Sequence, residues 1–105
     1  MLSYFGALLA NAGLPPGATE QILAPETARL LRTLMSTCGL YDHTGQFAWQ
    51  VGLPAKSGSA GGIMATVPGK MGIGTFSPLL DSAGNSVCGT RALEYLSRTL
   101  SLYVY

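Results

Sequence analysis

Pro68-Gly69 stands between two short apolar runs, Ile63 to Val67 and Met71 to Phe76, and no other feature constrains the fold as much. Proline presets φ for a turn and glycine accepts the positive φ that a tight turn demands. Two strand-like runs joined this closely must pair antiparallel, so the chain carries a β-hairpin. Upstream, Phe47, Trp49 and Val51 alternate with Ala48 and Gln50, which predicts a further strand after a turn at Asp42 to Gly45. Helical spacing predicts a helix over residues 3 to 12, stopped at Gly13, and Leu14-Pro15-Pro16-Gly17 reads as a turn. A second helix starts near Pro25, with Glu26 in its first turn and Leu30, Leu31, Leu34 and Met35 as its apolar stripe, and Gly39 as its C′ residue. After a polar loop from Asp81 to Ser86, Asn85 or Ser86 caps a last helix whose stripe is Ala92, Leu93, Leu96 and Leu100. Helices that do not alternate with strands predict α+β.

The 105 residues make one domain at most. Only 10% of them are charged while 48% are apolar, well short of the usual quarter charged. So apolar a surface is expected to meet a partner. Arg29, Arg32, Lys56, Lys70, Arg91 and Arg98 are scattered, which argues against nucleic acid and against an anionic membrane surface. No apolar run is long enough to span a bilayer. Leu2 to Leu9 followed by Ala10-Asn11-Ala12 has the outline of an export signal, but no Lys or Arg precedes Arg29, so its positive start is missing. Cys38 and Cys88 form neither a CxxC pair nor a disulfide framework, which suits free thiols in the cytoplasm. His43 is the sole histidine and has no clustered partners, so neither a metal nor a cofactor is expected, and a turn role fits it better than that of a base.

The densest chemical signal is Leu53-Pro54-Ala55-Lys56-Ser57-Gly58-Ser59-Ala60-Gly61-Gly62. Lys, a small hydroxyl residue and Gly in succession resemble the Lys-Thr-Gly element of penicillin-recognising enzymes, where such a strand lines a cleft. Small residues let a substrate approach the backbone, with Lys56 supplying charge and Ser57 a hydrogen bond. By itself the triplet fits a flexible Gly/Ser loop better. The Ser-x-x-Lys nucleophile element of that fold is absent: Lys56 and Lys70 are the only lysines, and neither has a serine three residues before it. Gly58-Ser59-Ala60-Gly61 falls short of a nucleophile elbow, because a strand rather than a helix follows.

Several linked stretches resemble the serine-dependent glutaminase family. They are Leu9-Ala10-Asn11-Ala12-Gly13, Cys38-Gly39-Leu40-Tyr41-Asp42, Gln46-Phe47-Ala48-Trp49-Gln50-Val51-Gly52 running on to Gly58, Val67-Pro68-Gly69-Lys70-Met71, Phe76 to Asp81 and Gly84-Asn85-Ser86-Val87. The resemblance covers residues 1–105 and corresponds to the C-terminal segment of a family member. It implies part of a beta-lactamase/transpeptidase-like α+β fold, an antiparallel sheet with flanking helices. It also implies hydrolysis of L-glutamine to L-glutamate and ammonia in the complete enzyme, through an acyl-enzyme on a serine with a lysine as base. Both lie upstream of the matching region, as do the asparagines and glutamate that grip the substrate. Tyr41 matches a catalytic, substrate-contacting tyrosine involved in proton transfer. Ser59 matches a substrate-binding position whose N–H lines the oxyanion hole; relatives have an apolar residue there, and a main-chain contact is compatible with serine. Lys56, Ser57 and Gly58 are then expected to line the cleft. Gly13 to Leu23 departs from the family's usual turn. The chain alone is expected to be inactive, and to form a homo-oligomer or join a longer glutaminase chain. The alternative is a non-catalytic remnant that associates with itself or with a glutaminase.

Overall fold

The computed structural model describes residues 1–105. In order it contains α1 (Leu2–Ala10), α2 (Pro25–Cys38), a 3-10 turn (Tyr41–His43), α3 (Thr44–Gln50), β1 (Ala55–Ser57), β2 (Gly62–Val67), β3 (Met71–Phe76) and α4 (Val87–Leu100). The strands form one antiparallel sheet in the order β1-β2-β3, with Lys56 opposite Met64 and Val67 opposite Met71. The hairpin predicted from Pro68-Gly69 is the β2–β3 pair.

Strand β2 runs through the centre and is buried on both faces. Its alternate residues feed two cores, as the period-two geometry of a strand requires. Ile63, Ala65 and Val67 face Leu40, Phe47, Val51, Leu53, Leu93 and Leu102. Met64 belongs to a smaller cluster with Leu9, Ala28 and Met35. Helices α1 and α2 therefore cover one face of the sheet, and α3 and α4 the other. Helix α1 sits directly on the strands because Gly6 and Gly72 have no side chains: a Cβ on Gly6 would lie 2.6 Å from the Ala65 carbonyl, and one on Gly72 2.2 Å from that of Ser3.

The segment from Phe47 to Val51 is not a strand. Phe47 and Val51 are buried while Trp49, between them, is 86% exposed. Residues i and i+4 share a face of a helix and residue i+2 points away, so the alternation that suggested a strand is the inner edge of α3. The sheet's first strand is instead Ala55–Ser57. Gly39 does end α2, but with φ of −75° rather than a left-handed one. What requires glycine there is contact, since a Cβ would fall 1.9 Å from the Ala55 carbonyl. The stripe of α2 is only half used: Met35 is buried and Leu31 half-buried, whereas Leu30 and Leu34 are exposed. Ser86 is the N-cap of α4, its hydroxyl accepting from the Gly89 N–H at 3.0 Å.

Candidate functional site

Helix α2 ends on the edge of β1. The Gly39 carbonyl accepts the Ser57 N–H at 3.1 Å, which brings the next residues, Leu40 and Tyr41, against the strand. Tyr41 has φ of 55°, a left-handed conformation unusual for a bulky residue. Its neighbours hold it there. The Thr44 hydroxyl accepts from the Leu40 N–H at 2.9 Å and donates to the Tyr41 carbonyl at 2.7 Å. The Leu40 carbonyl accepts from the His43 N–H at 3.2 Å and the Asn85 side-chain amide at 2.9 Å. Backbone strain survives only where surroundings over-determine it, and it gathers at functional sites.

Tyr41 is 48% exposed, and its hydroxyl has no hydrogen-bond partner within the chain. The Lys56 ammonium lies 4.5 Å from the centre of its ring. Lys56 also donates to the Ser57 carbonyl. Alternation along β1 turns Lys56 outward and Ser57 inward. The Ser57 hydroxyl accordingly donates to Asn85 Oδ1 at 2.5 Å, in the interior. Lys56, Ser57, Gly58 and Ala60 line a cleft of about 340 Å³ together with Leu2, Gly62, Met64 and Phe76.

Ser59 lies on the turn joining β1 to β2. The Gly61 N–H closes that turn on the Gly58 carbonyl at 3.1 Å, and the Gly58 N–H reaches the Gly62 carbonyl at 2.9 Å. Ser59 falls between these bonds, is exposed, and its own N–H donates to no carbonyl of the chain. The structure thus joins Tyr41 to Lys56 by direct contact, and Lys56, Ser57 and Gly58 by one cleft. Ser59 adjoins that cleft by sequence, between Gly58 and Ala60.

Behind the Tyr41 turn lies a polar support. His43 Nδ1 is 3.4 Å from Asp81 Oδ2. Asp81 Oδ1 accepts from the N–H groups of Ala83 at 2.9 Å and Asn85 at 3.0 Å. Burial alone would raise the Asp81 pKa, but these two backbone donors and His43 outweigh it and leave the carboxyl below its ordinary value. No three His, Cys, Asp or Glu side chains come together as a metal site would need. Asn85, read from sequence only as a possible cap, proves to be the buried link between the Tyr41 turn and β1. Its burial and two-sided bonding are tertiary features with no local pattern to reveal them.

The sequence model of the Glutaminase family matches residues 1–105. The chain belongs to the glutaminase family. It is 50% identical over 104 residues to Glutaminase 2 of Clostridium perfringens, covering 99% of this chain and 34% of that protein. It is 48% identical, at the same coverage, to a glutaminase of Geobacillus kaustophilus. Among solved structures it superposes on a Bacillus subtilis glutaminase in covalent complex with 5-oxo-L-norleucine with a TM-score of 0.96 and 38% identity. That match covers 99% of this chain and 38% of the other. Mglu in its glutamate form matches with a TM-score of 0.92 and 44% identity, over 97% of this chain and 23% of Mglu. The chain therefore has the α+β architecture of part of the beta-lactamase-like glutaminase fold, and spans about a third of the length of its curated relatives.

Proposed function

We propose that this chain supplies one wall of a glutamine-hydrolysing site, with the nucleophile supplied by the region of a glutaminase that lies outside these 105 residues. The substrate is L-glutamine. Its side-chain carbonyl carbon is attacked by a serine oxygen, ammonia leaves, and water then releases L-glutamate from the acyl-enzyme. Both steps put negative charge on the carbonyl oxygen. A preorganised N–H aimed at that oxygen stabilises the charge. The Ser59 amide has the required freedom, because the turn leaves it outside the sheet's hydrogen bonds. This unpartnered donor, beside the Lys56-Ser57-Gly58 strand, is the observation that carries the proposal.

Tyr41 acts as the proton-transfer and substrate-contacting group. Its hydroxyl is unengaged and its backbone is held in a strained turn, which keeps the ring in one place while leaving the reactive end available. The Lys56 ammonium over the ring adds positive charge beside the phenol. Without an activated serine the chain alone does not turn over glutamine.

The reading also includes association. Leu30, Leu34 and Phe5 are exposed on the face carrying α1 and α2. Phe5, Leu31, Leu34, Met35 and Met64 line an apolar groove of about 330 Å³ there. Such a face suits packing against another copy or against the rest of a glutaminase. A second reading, a non-catalytic associating module, rests on this same face. Both exposed cysteines are free thiols, which suits a cytoplasmic setting.

The test is complementation. Clostridium perfringens Glutaminase 2, truncated to remove the region that this chain matches, is mixed with the chain and ammonia release is followed. Neither part alone is expected to work, and the mixture is expected to hydrolyse glutamine. Tyr41→Phe should lower the mixture's rate by roughly 10²-fold or more, as loss of a positioned proton-transfer group does. Stable association with no hydrolysis would favour the non-catalytic reading. A protein-dependent rate from the lone chain that survives repurification would overturn the division of labour.

A further inference from the structure

Asn85 is 2% exposed, and its side chain bonds to two segments remote in sequence. Its Nδ2 donates to the Leu40 carbonyl at 2.9 Å, and its Oδ1 accepts from the Ser57 hydroxyl at 2.5 Å. The Leu40 carbonyl belongs to the peptide that leads into Tyr41, so its orientation sets the left-handed φ of that residue. Ser57 is the inward residue of β1, and its neighbour Lys56 is the outward one that lies over the Tyr41 ring. One side-chain amide thus bonds, from beneath, to the residue before Tyr41 and to the residue after Lys56, on both sides of the Tyr41–Lys56 contact.

Asn85 is itself held. Its N–H donates to Asp81 Oδ1 at 3.0 Å and its carbonyl accepts from the Asp81 N–H at 2.8 Å. The loop that these bonds close passes beside the Tyr41 ring, close enough that a Cβ added at Gly84 would lie 3.9 Å from Tyr41 Cε2. An amide supplies a donor on one arm and an acceptor on the other, which an ionised carboxylate of the same shape does not. Aspartate keeps the acceptor for Ser57 but cannot donate to Leu40, and alanine does neither.

We propose that Asn85 is a positioning residue: it clamps the Tyr41 turn to β1 and so fixes the Tyr41 ring against Lys56 at the site. Its place in catalysis rests on the reading of Tyr41 given above, but the clamp can be measured without it. In the isotopically labelled chain, the Lys56 ε-methylene protons should be shifted by the ring current of Tyr41. Asn85→Ala and Asn85→Asp should collapse that shift while signals of α1 and the β2–β3 pair remain. Amide exchange at residues 40 to 43 should rise roughly tenfold, the effect of losing one buried hydrogen bond. A mainly global role would speed exchange everywhere and leave the ring-current shift of the folded state intact, which overturns the proposal. If neither Asn85 variant folds, Ser57→Ala cuts only one arm of the clamp. A weakened shift then supports the proposal, and an unchanged one refutes it.

In the complemented enzyme, Asn85→Ala should lower kcat by roughly 10–100-fold, a larger change than in KM, because the proton-transfer group is present but misplaced. An unchanged kcat would refute a role in catalysis. If the unsubstituted mixture itself fails to hydrolyse glutamine, the reading of the site fails while the spectroscopic arm still decides the clamp.

Discussion

The Lys56 ammonium stands 4.5 Å from the centre of the Tyr41 ring, across fifteen positions of sequence and between two different elements. The contact arises because α2 stops at Gly39 against the edge of β1, which leaves Tyr41 beside the outward-facing residue of that strand. A cation over an aromatic face at an exposed site contributes about 0.5–1 kcal/mol. That is too little to organise the turn, which is held by Thr44 and Asn85. The contact reports the geometry more than it creates it.

Tyr41→Phe should therefore leave the chain's stability within about 0.5 kcal/mol, because the hydroxyl has no partner to lose. Denaturant melts of the two proteins should overlay. A loss well beyond that range would mean that the hydroxyl is structural and unsuited to the role proposed for it.

Phe47 and Trp49 should respond oppositely to truncation. Phe47 is 4% exposed in the core beneath β2, so Phe47→Ala should cost about 3–5 kcal/mol. Trp49, 86% exposed, should cost no more than about 0.5 kcal/mol as Trp49→Ala. Circular dichroism melts would check both. Comparable losses would argue for a two-residue period, and so against α3.

These two residues also mark where the sequence was readable. The Pro68-Gly69 hairpin, the Pro25 start of α2 and the Ser86 cap were legible because each depends on local backbone chemistry. Phe47 to Val51 was misread because residues at i, i+2 and i+4 satisfy a strand, while i and i+4 alone satisfy a helix. Only burial separates the two. Ala55–Ser57 was hard to see as a strand for a different reason: it is three residues long and opens into a Gly/Ser-rich turn. At the site, the family resemblance singled out Tyr41 and the Lys56-Ser57-Gly58 segment, and the structure sets Lys56 over the Tyr41 ring. The inward turn of the Ser57 hydroxyl and its tie to Asn85 were not legible, since they depend on which face of β1 meets the loop from Asp81 to Asn85.

The same loop predicts a response to acid. Asp81 has a folded pKa below the ordinary 3.8: desolvation acts to raise it, but hydrogen bonds from Asn85 and Ala83 and the neighbouring His43 prevail. A depressed carboxyl contributes stability that is present above its unfolded pKa and is lost as pH falls through the folded one. Stability should therefore decline as pH drops below about 3.8, with that loss reduced in Asp81→Asn. Urea midpoints at pH 6, 4 and about 3 would check it. Parallel acid slopes for the two proteins would show that Asp81 contributes no such linkage.

The α1/α2 face should govern association. Leu30 is 58% exposed, Leu34 47% and Phe5 43%, although Leu30 and Leu34 lie on the apolar stripe of α2. A helix normally turns its apolar stripe inward, and here the sheet has room for only Met35, Ala28 and part of Leu31. The remainder stays exposed, and it is the surface to which the association proposed above is assigned. Light scattering of the chain should find dimers or larger species, with the proportion rising with concentration. Leu34→Glu would put a charge into the groove shared with Phe5 and Met64, where desolvation opposes packing. It should shift the population toward monomer without lowering stability appreciably, since the side chain is already half in water. The same substitution should weaken binding to the truncated glutaminase of the complementation assay. A clean monomer at high concentration for the unsubstituted chain would rule out self-association. Unchanged binding by Leu34→Glu would move the partner surface elsewhere, to the exposed edge at Phe76 and Leu79 or to the aromatic cluster of Trp49, Tyr103 and Tyr105.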